Sequence, residues 1–447
     1  MVSRNFSLFS VLLALSILLS FPAKLLYGAT TGQGNKNHDR KPNILFIVTD
    51  DQRFDTIHAL GNNEIHTPTQ DALVKRGFVF NNTYCMGGME PAVCAPSRTM
   101  IMTGKSLFHI PKPRGKSYAD ISLGKSFKKA GYSTLFVGKR SNSFLAGNQE
   151  FATVLFHDES PKVRAEQSRW VADQSIQWLQ KQSNDEPFFV YLGASVPHDP
   201  RLAPPEFRNR YDAEKISLPK NFMPKHPFDN GELKIRDELL AAIPRQEKEM
   251  KQHIADYYAC ITCFDYHIGR VLDYLNQKGK LDNTIVVWTS DQGLAVGGRH
   301  GLMGKQNLYE EFKSPLIIAG PGIGNGRSDA LVYLFDLYPT LLDIAQLNIP
   351  ASLEGKSLVP VLHKKVEKVR DHLFAAYRDC QRMIRDRQYK LLYYPKIERY
   401  QLFDVLKDPW ELHDLAGRPD YSAKQSQLQK ELRIKQEFFG DPILKKK

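Results

Sequence analysis

The amino-acid sequence predicts an α/β fold: a large, mostly parallel central sheet flanked by helices, followed by a smaller antiparallel subdomain with one helix. Two observations predict it. Between residues 43 and 345, short runs of β-forming apolar residues alternate with helical patterns, as expected of strands buried on both faces of a helix-covered sheet. After about residue 365 the texture changes to short strands at close spacing. A chain of 447 residues exceeds one ordinary domain and accommodates one large core with a smaller partner. The expected boundaries are 1–29 for an export signal, 30–41 for a polar linker, 42–364 for the main α/β domain, and 365–447 for the small subdomain and its basic tail.

Each element has its own warrant. Asn43–Val48 is a continuous apolar run, the pattern of a buried parallel strand. Asp71–Gly77 reads as a helix and Phe78–Thr83 as a strand. Pro96 at an N-terminal position opens a helix running to Thr103. Leu123–Ala130 and the amphipathic Ser168–Lys181 are helical; Ser133–Val137 and Pro187–Gly193 are strands. Residues 197–250 are Pro-rich and lack clear periodicity, which suits a functional surface loop or lid. A long helix to Lys278 follows, then strands Thr284–Thr289 and Leu316–Ala319 and the helix Phe335–Ala345. Leu373–Tyr377, Met383–Arg385, Tyr389–Tyr394 and Gln401–Phe403 are the short strands of the last part, and a polar helix spans 421–439.

Hydrophobic residues at 42% and charged residues at 25% are globular values and exclude a disordered or polytopic membrane chain. The net charge of +12 favours polyanionic partners without choosing among them. The amino terminus narrows the choice. Arg4 precedes a mostly apolar run from Leu8 to Phe21, and small residues follow at Gly28-Ala29, which is the build of a secretory signal. The run is short for a membrane span, though an uncleaved anchor is the alternative; no later segment is apolar enough to span. An exported protein, periplasmic or secreted, rarely meets nucleic acid, so an anionic extracellular substrate gains weight and no nucleic-acid partner is expected.

Five cysteines (Cys85, Cys94, Cys260, Cys263 and Cys380) form no disulfide framework, and the odd count assigns at least one another task. Cys260 and Cys263 form a C-x-x-C, open to a redox or metal reading, but they sit within a helical apolar pattern that suits buried core residues. Two predicted strand ends carry acids: Asp50-Asp51 after the first, and Asp291-Gln292 after Thr284–Thr289. Adjacent carboxylates repel unless protons or a cation hold them, and an all-oxygen set selects Ca²⁺ or Mg²⁺ over zinc. Helix caps and turns are the competing explanation.

Cys94-Ala95-Pro96-Ser97-Arg98 decides between them. Five cysteines would produce C-x-P-S-R by chance in fewer than roughly one in a thousand such chains. The motif resembles the signature of the formylglycine-dependent sulfatases of the alkaline-phosphatase-like superfamily, whose cysteine is oxidised to an aldehyde before folding. Thr103-Gly104, Gly138-Lys139, Pro197-His198-Asp199-Pro200, Ser290-Asp291-Gln292-Gly293 and His300-Gly301 with Lys305 resemble that family's series in order and spacing. Tyr389-Lys390-Leu391 and Gln401-Leu402-Phe403-Asp404 with Asp408-Pro409 are similar to its closing subdomain. The resemblance covers about residues 42–416 and extends to bacterial secreted polysaccharide sulfatases and, distantly, iduronate-2-sulfatase.

The resemblance implies an alkaline-phosphatase-like sandwich, one divalent cation (Ca²⁺ before Mg²⁺), a formylglycine made from Cys94 by a formylglycine-generating or anaerobic maturation enzyme, and a sulfated carbohydrate substrate. It implies that Asp50, Asp51, Asp291, Gln292 and the modified Cys94 surround the metal. One hydroxyl of the hydrated aldehyde would attack sulfur and the other would then expel sulfate. Arg98 would hold the diol or a ligand carboxylate, Lys139 and Lys305 would neutralise sulfate oxygens, and His198 would contact sulfate and protonate the leaving oxygen. His300 is a second candidate acid, or a plain loop histidine.

Two positions depart from the family pattern. Gln292 stands where Asn or His is usual. Lys139-Arg140-Ser141-Asn142 replaces Lys-Trp-His, so the usual histidine is missing. Either Ser141 or Asn142 substitutes, another histidine enters, or the protein is slow or inactive; together with His226-Pro227-Phe228-Asp229-Asn230 the variation resembles that of an active subgroup. The alternatives are a phosphonate or phosphate ester hydrolase on the same scaffold and an impaired binder of sulfated glycan. Residues 200–245 and the loops near Arg378, Asp379 and Arg385 are the candidates for sugar recognition.

Overall fold

Asn43–Thr49 (β1) is buried along its whole length, as its uninterrupted apolar sequence requires, and lies inside a nine-stranded sheet. The strands that follow are β2 (Phe78–Tyr84), β3 (Gly87–Gly88), β4 (Ser133–Gly138), β5 (Thr153–Phe156), β6 (Phe188–Gly193), β7 (Thr284–Ser290), β8 (Lys313–Ser314), β9 (Leu316–Ala319) and β10 (Gly326–Tyr333). All but β3 join β1, in the order β10-β2-β9-β7-β1-β6-β4-β5, with β8 paired to β2. Along that path only β9 runs antiparallel to its neighbours. The computed structural model describes residues 40–446 apart from 113–114, 116–117, 119, 184–185 and 306; the expected export signal and almost all of the linker lie outside the described residues.

Helices cover both faces of the sheet. They are α1 (Pro68–Arg76), α2 (Cys94–Thr103), α3 (Leu123–Lys129), α4 (Leu145–Asn148), α5 (Gln167–Gln180), α6 (Pro205–Arg208), α7 (Glu247–Gln277), α8 (Leu337–Ile344), α9 (Val359–Leu362) and α10 (Ser422–Phe439). The period of two along β1 splits its side chains between two cores. Ile44, Phe46 and Val48 join Met100 of α2, Phe127 of α3 and Leu341 of α8. Leu45 and Ile47 join Leu73 of α1, Val171 of α5 and Ile268 of α7. This two-sided burial explains why β1 reads as an apolar run rather than an alternating one.

The second sheet has the order β14-β13-β12-β11-β3, with β11 (Leu373–Tyr377), β12 (Gln381–Arg385), β13 (Tyr389–Tyr394) and β14 (Arg399–Asp404) antiparallel in sequence. Leu428 and Leu432 of α10 are buried against it. β3 pairs parallel to β11 a few residues before α2 begins. Gly87 makes that contact possible: its φ is 103°, and a Cβ there would lie 1.9 Å from the Ala376 carbonyl oxygen. Residues Lys41–Lys447 form one compact unit.

Four strands were not expected from sequence. β3 and β8 are two-residue pairings, and β5 is short and only half-buried. β10 escapes notice because its first four residues are partly exposed and its pairing with β2 is interrupted between Ser328 and Leu331. The Pro-rich 197–250 region contains α6, isolated 3₁₀ turns and, from Glu247, the start of α7, and is otherwise irregular. All five cysteines are buried and unpaired. Cys260 and Cys263 pack with Ala203, Ala259 and Phe207, so they act as core side chains of α7. Among the described residues no helix is long and apolar enough to cross a membrane.

Candidate active site

The register of the sheet assembles the site. β1 pairs with β7 so that Thr49 lies beside Ser290, and with β6 so that Val48 lies beside Gly193. The segments leaving these strands emerge together at the carboxyl edge, where ligand sites of open α/β sheets form. Asp50 and Asp51 leave β1, Asp291 and Gln292 leave β7, Lys139 leaves β4, and His198 lies beyond β6. Cys94 begins α2, a helix buried at every residue.

Asp51 adopts a left-handed φ of 72°, unusual for a residue with a side chain, and its surroundings hold it there. Its N–H donates to Asp291 Oδ1 at 3.1 Å and its carbonyl accepts from the Tyr257 hydroxyl at 2.5 Å. The same hydroxyl accepts from the Arg53 N–H at 2.8 Å. One ligand atom from each of Asp50, Asp51, Cys94 and Asp291 fits within a mutual 4.8 Å, and Asp50, Cys94 and His198 do likewise. Gln292 Nε2 donates to Asp51 Oδ1 at 2.5 Å and to Cys94 Sγ at 3.1 Å.

The cations close around these acids. Arg98 Nε donates to Asp291 Oδ2 at 2.9 Å, and its NH2 donates to the carbonyls of Thr49 and Ala194, tying α2 to the ends of two strands. Ser97 Oγ donates to the Asp291 carbonyl at 2.6 Å. Lys139 Nζ contacts Asp50 Oδ2, and Lys305 Nζ lies 3.1 Å from Asp51 Oδ2. His198 Nδ1 donates to the Asp199 carbonyl at 2.7 Å, a geometry that fixes the tautomer; Nε2 then faces Asp51 Oδ2 at 3.9 Å.

Burial opposes ionisation of Asp50, but Lys139, then His198, Arg98 and Lys305, outweigh it and hold the carboxyl well below the ordinary range. Burial and the charge of Asp50 push Asp291 the other way, up to about 7, against Arg98 and Lys139. Burial and Lys305 pull His198 down, with Asp51 and Asp50 opposing. Carboxylates separated this way require shared positive charge. Asp50 Oδ1 and Gln292 Oε1 are buried without a hydrogen-bond partner. Two unsatisfied buried oxygens among three carboxylates are what a hard divalent cation would satisfy, so the donor set fits one.

His300 stands apart from this cluster. Its ring stacks on Tyr309 at 4.1 Å, and its Nε2 meets the Asn221 side-chain amide at 3.0 Å. Those contacts make it a packing residue under the 298–304 turn. Ser141 is also turned away, its hydroxyl and N–H both on Glu159. Asn142 instead lines a cavity of about 260 Å³ with His198 and Lys305, closed on another side by Arg236 and Asp237. Arg385 is buried against the Tyr84 hydroxyl and does not line that cavity, while Arg378 pairs with Glu232 at 2.7 Å.

Several supporting residues carried no sequence signal. Tyr257 comes from the middle of α7. Glu238 accepts the backbone N–H groups of Met303 and Gly304, fixing the turn that presents Lys305, and is itself paired with Arg245 at 2.7 Å. Arg164 donates to the carbonyls of Ser195, His198 and Asp199. Their roles depend on long-range packing that no local motif records.

An acid cluster ringed by lysines, an arginine and a histidine thus lies at the carboxyl edge of this sheet. Residues 42–347 match the Sulfatase family, and residues 298–437 match the family described as N-sulphoglucosamine sulphohydrolase, C-terminal. The chain belongs to the sulfatase family and is a sulfatase enzyme. It is similar to an N-acetylglucosamine-6-O-sulfatase of Bacteroides thetaiotaomicron, 28% identical over 96% of this chain and 93% of that protein. It is also similar to an arylsulfatase of Clostridium perfringens, 28% identical over 90% of this chain and 96% of that one. A solved structure described as a complex with its substrate D-glucosamine-2-N,6-O-disulfate shares the fold, with a TM-score of 0.76, 24% identity, and coverage of 90% of this chain and 99% of that one. The phosphonate monoester hydrolase of Agrobacterium radiobacter shares it too, with a TM-score of 0.75 at 20% identity, covering 88% and 96%.

Proposed function

We propose that this enzyme is exported and hydrolyses sulfate esters of a sulfated carbohydrate, using a formylglycine made from Cys94 by a maturation enzyme and one bound Ca²⁺. The observation that carries the reading is Cys94 at the hub of Asp50, Asp51, Asp291 and Gln292, with Lys139, Lys305 and His198 around it. Asp50, Asp51, Asp291 and Gln292 Oε1 would hold the cation, which when bound supplies Lewis acidity at a sulfate oxygen; Ca²⁺ tolerates such an irregular all-oxygen set better than Mg²⁺. The hydrated aldehyde supplies a hydroxyl nucleophile that a thiol lacks.

The remaining work falls to the chain's own side chains. Lys139 and Lys305 offset the charge that builds on the sulfuryl oxygens. Arg98 keeps Asp291 in position. His198, with Nδ1 committed to a carbonyl, presents Nε2 to the leaving oxygen and delivers a proton there when charged. Asn142 takes the place of the missing histidine, because it lines the cavity with His198 and Lys305 while Ser141 is committed to Glu159.

The test is mass spectrometry of the Cys94 peptide after expression with a competent maturase, together with sulfate release from defined sulfated mono- and disaccharides. The expected result is an aldehyde and release from at least one sugar; an unmodified thiol and no release would refute the reading. The fold likeness to phosphonate monoester hydrolases supports a second reading, and kcat/KM on paired aryl sulfate and aryl phosphonate esters decides between them. A large phosphonate preference would overturn the sulfate assignment.

A further inference from the structure

The loop carrying the acidic pair continues through Arg53 into a second cavity of about 450 Å³, whose lining shares no residue with the cavity over the site. Its floor is a nearly closed set of charges. Arg53 Nε meets Asp55 Oδ1 at 2.8 Å, Arg299 NH2 meets Asp55 Oδ2 at 2.9 Å, and Arg299 NH1 meets Glu310 Oε1 at 2.6 Å. Two guanidinium groups and two carboxylates balance one another there. Arg299 Nε, on a residue only 8% exposed, is left without a hydrogen-bond partner.

The walls carry two lysines, Lys220 and Lys313, against one acid, Glu64. Lys220 Nζ lies 5.8 Å from the centroid of Trp410, and Lys313 Nζ lies 3.7 Å from that of Phe54. Among the described residues neither ammonium pairs with a carboxylate; each rests on an aromatic face instead. Burial, with help from Arg385 and against Glu310, pushes Lys313 down to about 8, so its charge is incompletely compensated by the protein. Two lysines that pair with no carboxylate, and an arginine with an unsatisfied buried N–H, line one cavity with aromatic walls. An anion supplies the missing acceptors; Trp410 is already faced by Lys220 and by Arg299, whose guanidinium carbon lies 5.4 Å from its ring centroid.

We infer that this cavity is a second saccharide site, in which Lys220, Lys313 and Arg299 Nε take a sulfate or carboxylate group of the sugar, with Trp410 holding the Lys220 and Arg299 cations in place. Recognition of the anion stands on the cavity alone; the saccharide part rests on the proposed function. Such a site would anchor a neighbouring unit of a longer substrate and raise affinity through effective concentration.

The experiment uses the full-length Cys94→Ala protein, titrated calorimetrically with a heparin-derived tetrasaccharide, its fully desulfated counterpart and sodium sulfate. A Lys220→Glu variant in the same background, at an exposed position, and Trp410→Ala test the site. The expected result is a binding event for the sulfated tetrasaccharide that weakens at least tenfold in both variants and is absent with the desulfated sugar. In the active enzyme, Lys220→Glu leaves kcat/KM on a small aryl sulfate within twofold and raises KM for the tetrasaccharide at least fivefold. Unchanged binding in both variants would overturn the proposal, and sodium sulfate binding there as tightly as the tetrasaccharide would overturn its saccharide part. If the active enzyme releases no sulfate from any ester, the proposed function fails, while the Lys220-dependent titration still decides the cavity.

Discussion

At Cys94 the surroundings disfavour a thiolate. The side chain is fully buried, and burial together with Asp50 pushes the thiol well above its ordinary value, with Lys305 and Lys139 opposing. Cys94→Ala should therefore abolish sulfate release, by about 10³-fold or more, with the thermal midpoint nearly unchanged. Asn142→Ala should lower kcat by roughly 10–100-fold with a smaller effect on KM, whereas Ser141→Ala should leave both within about twofold. Equal losses in the two variants would show that the segment acts as a structural loop. The acids, the arginine and both lysines singled out in the sequence come together in the structure because each sits at a strand end or in a fixed-spacing motif. His300 was misleading for the same reason: a glycine-flanked histidine near Lys305 looks alike whether it faces the site or, as here, stacks on Tyr309.

The helix α7 reaches the site through the Tyr257 hydroxyl. Tyr257 spans from its buried face to the Asp51 carbonyl and the Arg53 N–H, so it braces the left-handed turn from behind. Tyr257→Phe should cost about 1–3 kcal/mol of stability, the penalty for leaving those buried groups unsatisfied, and should weaken the affinity for the cation as well. Urea denaturation and a calcium titration read the two effects separately. Nothing in the α7 sequence distinguishes Tyr257 from the other apolar positions on the same face. β10 shows the matching limit for strands, since its half-exposed polar start hides an eight-residue element.

For the whole molecule, acid sensitivity follows from histidines that fold in the neutral form. His226 and His300 are both pulled down to about 4 by burial; the His300 carbonyl opposes this at His226, and Glu310 opposes it at His300. Folded values below the unfolded value near 6.5 mean that the stability is fully present above about pH 6.5 and is lost as pH falls toward 4. The loss is on the order of 1–3 kcal/mol per ring. Urea midpoints should fall between pH 7.5 and 5, and His226→Gln should flatten that dependence. Chelation should lower the thermal midpoint and calcium restore it, because three carboxylates and two unsatisfied oxygens share one pocket. The two-sheet architecture was legible from the change of texture after residue 365, but the strand that joins the second sheet to the segment before Cys94 was not, being only Gly87-Gly88.

That two-residue strand sets a timetable. β3 has no partner until β11 exists, and β11 comes from the far end of the polypeptide. During synthesis the stretch leading into Cys94 therefore lacks its sheet neighbour for most of the time the chain takes to be made, and native contacts between such distant segments close late. On the proposed function, the fold leaves that stretch open to the maturation enzyme until Leu373–Tyr377 has been made.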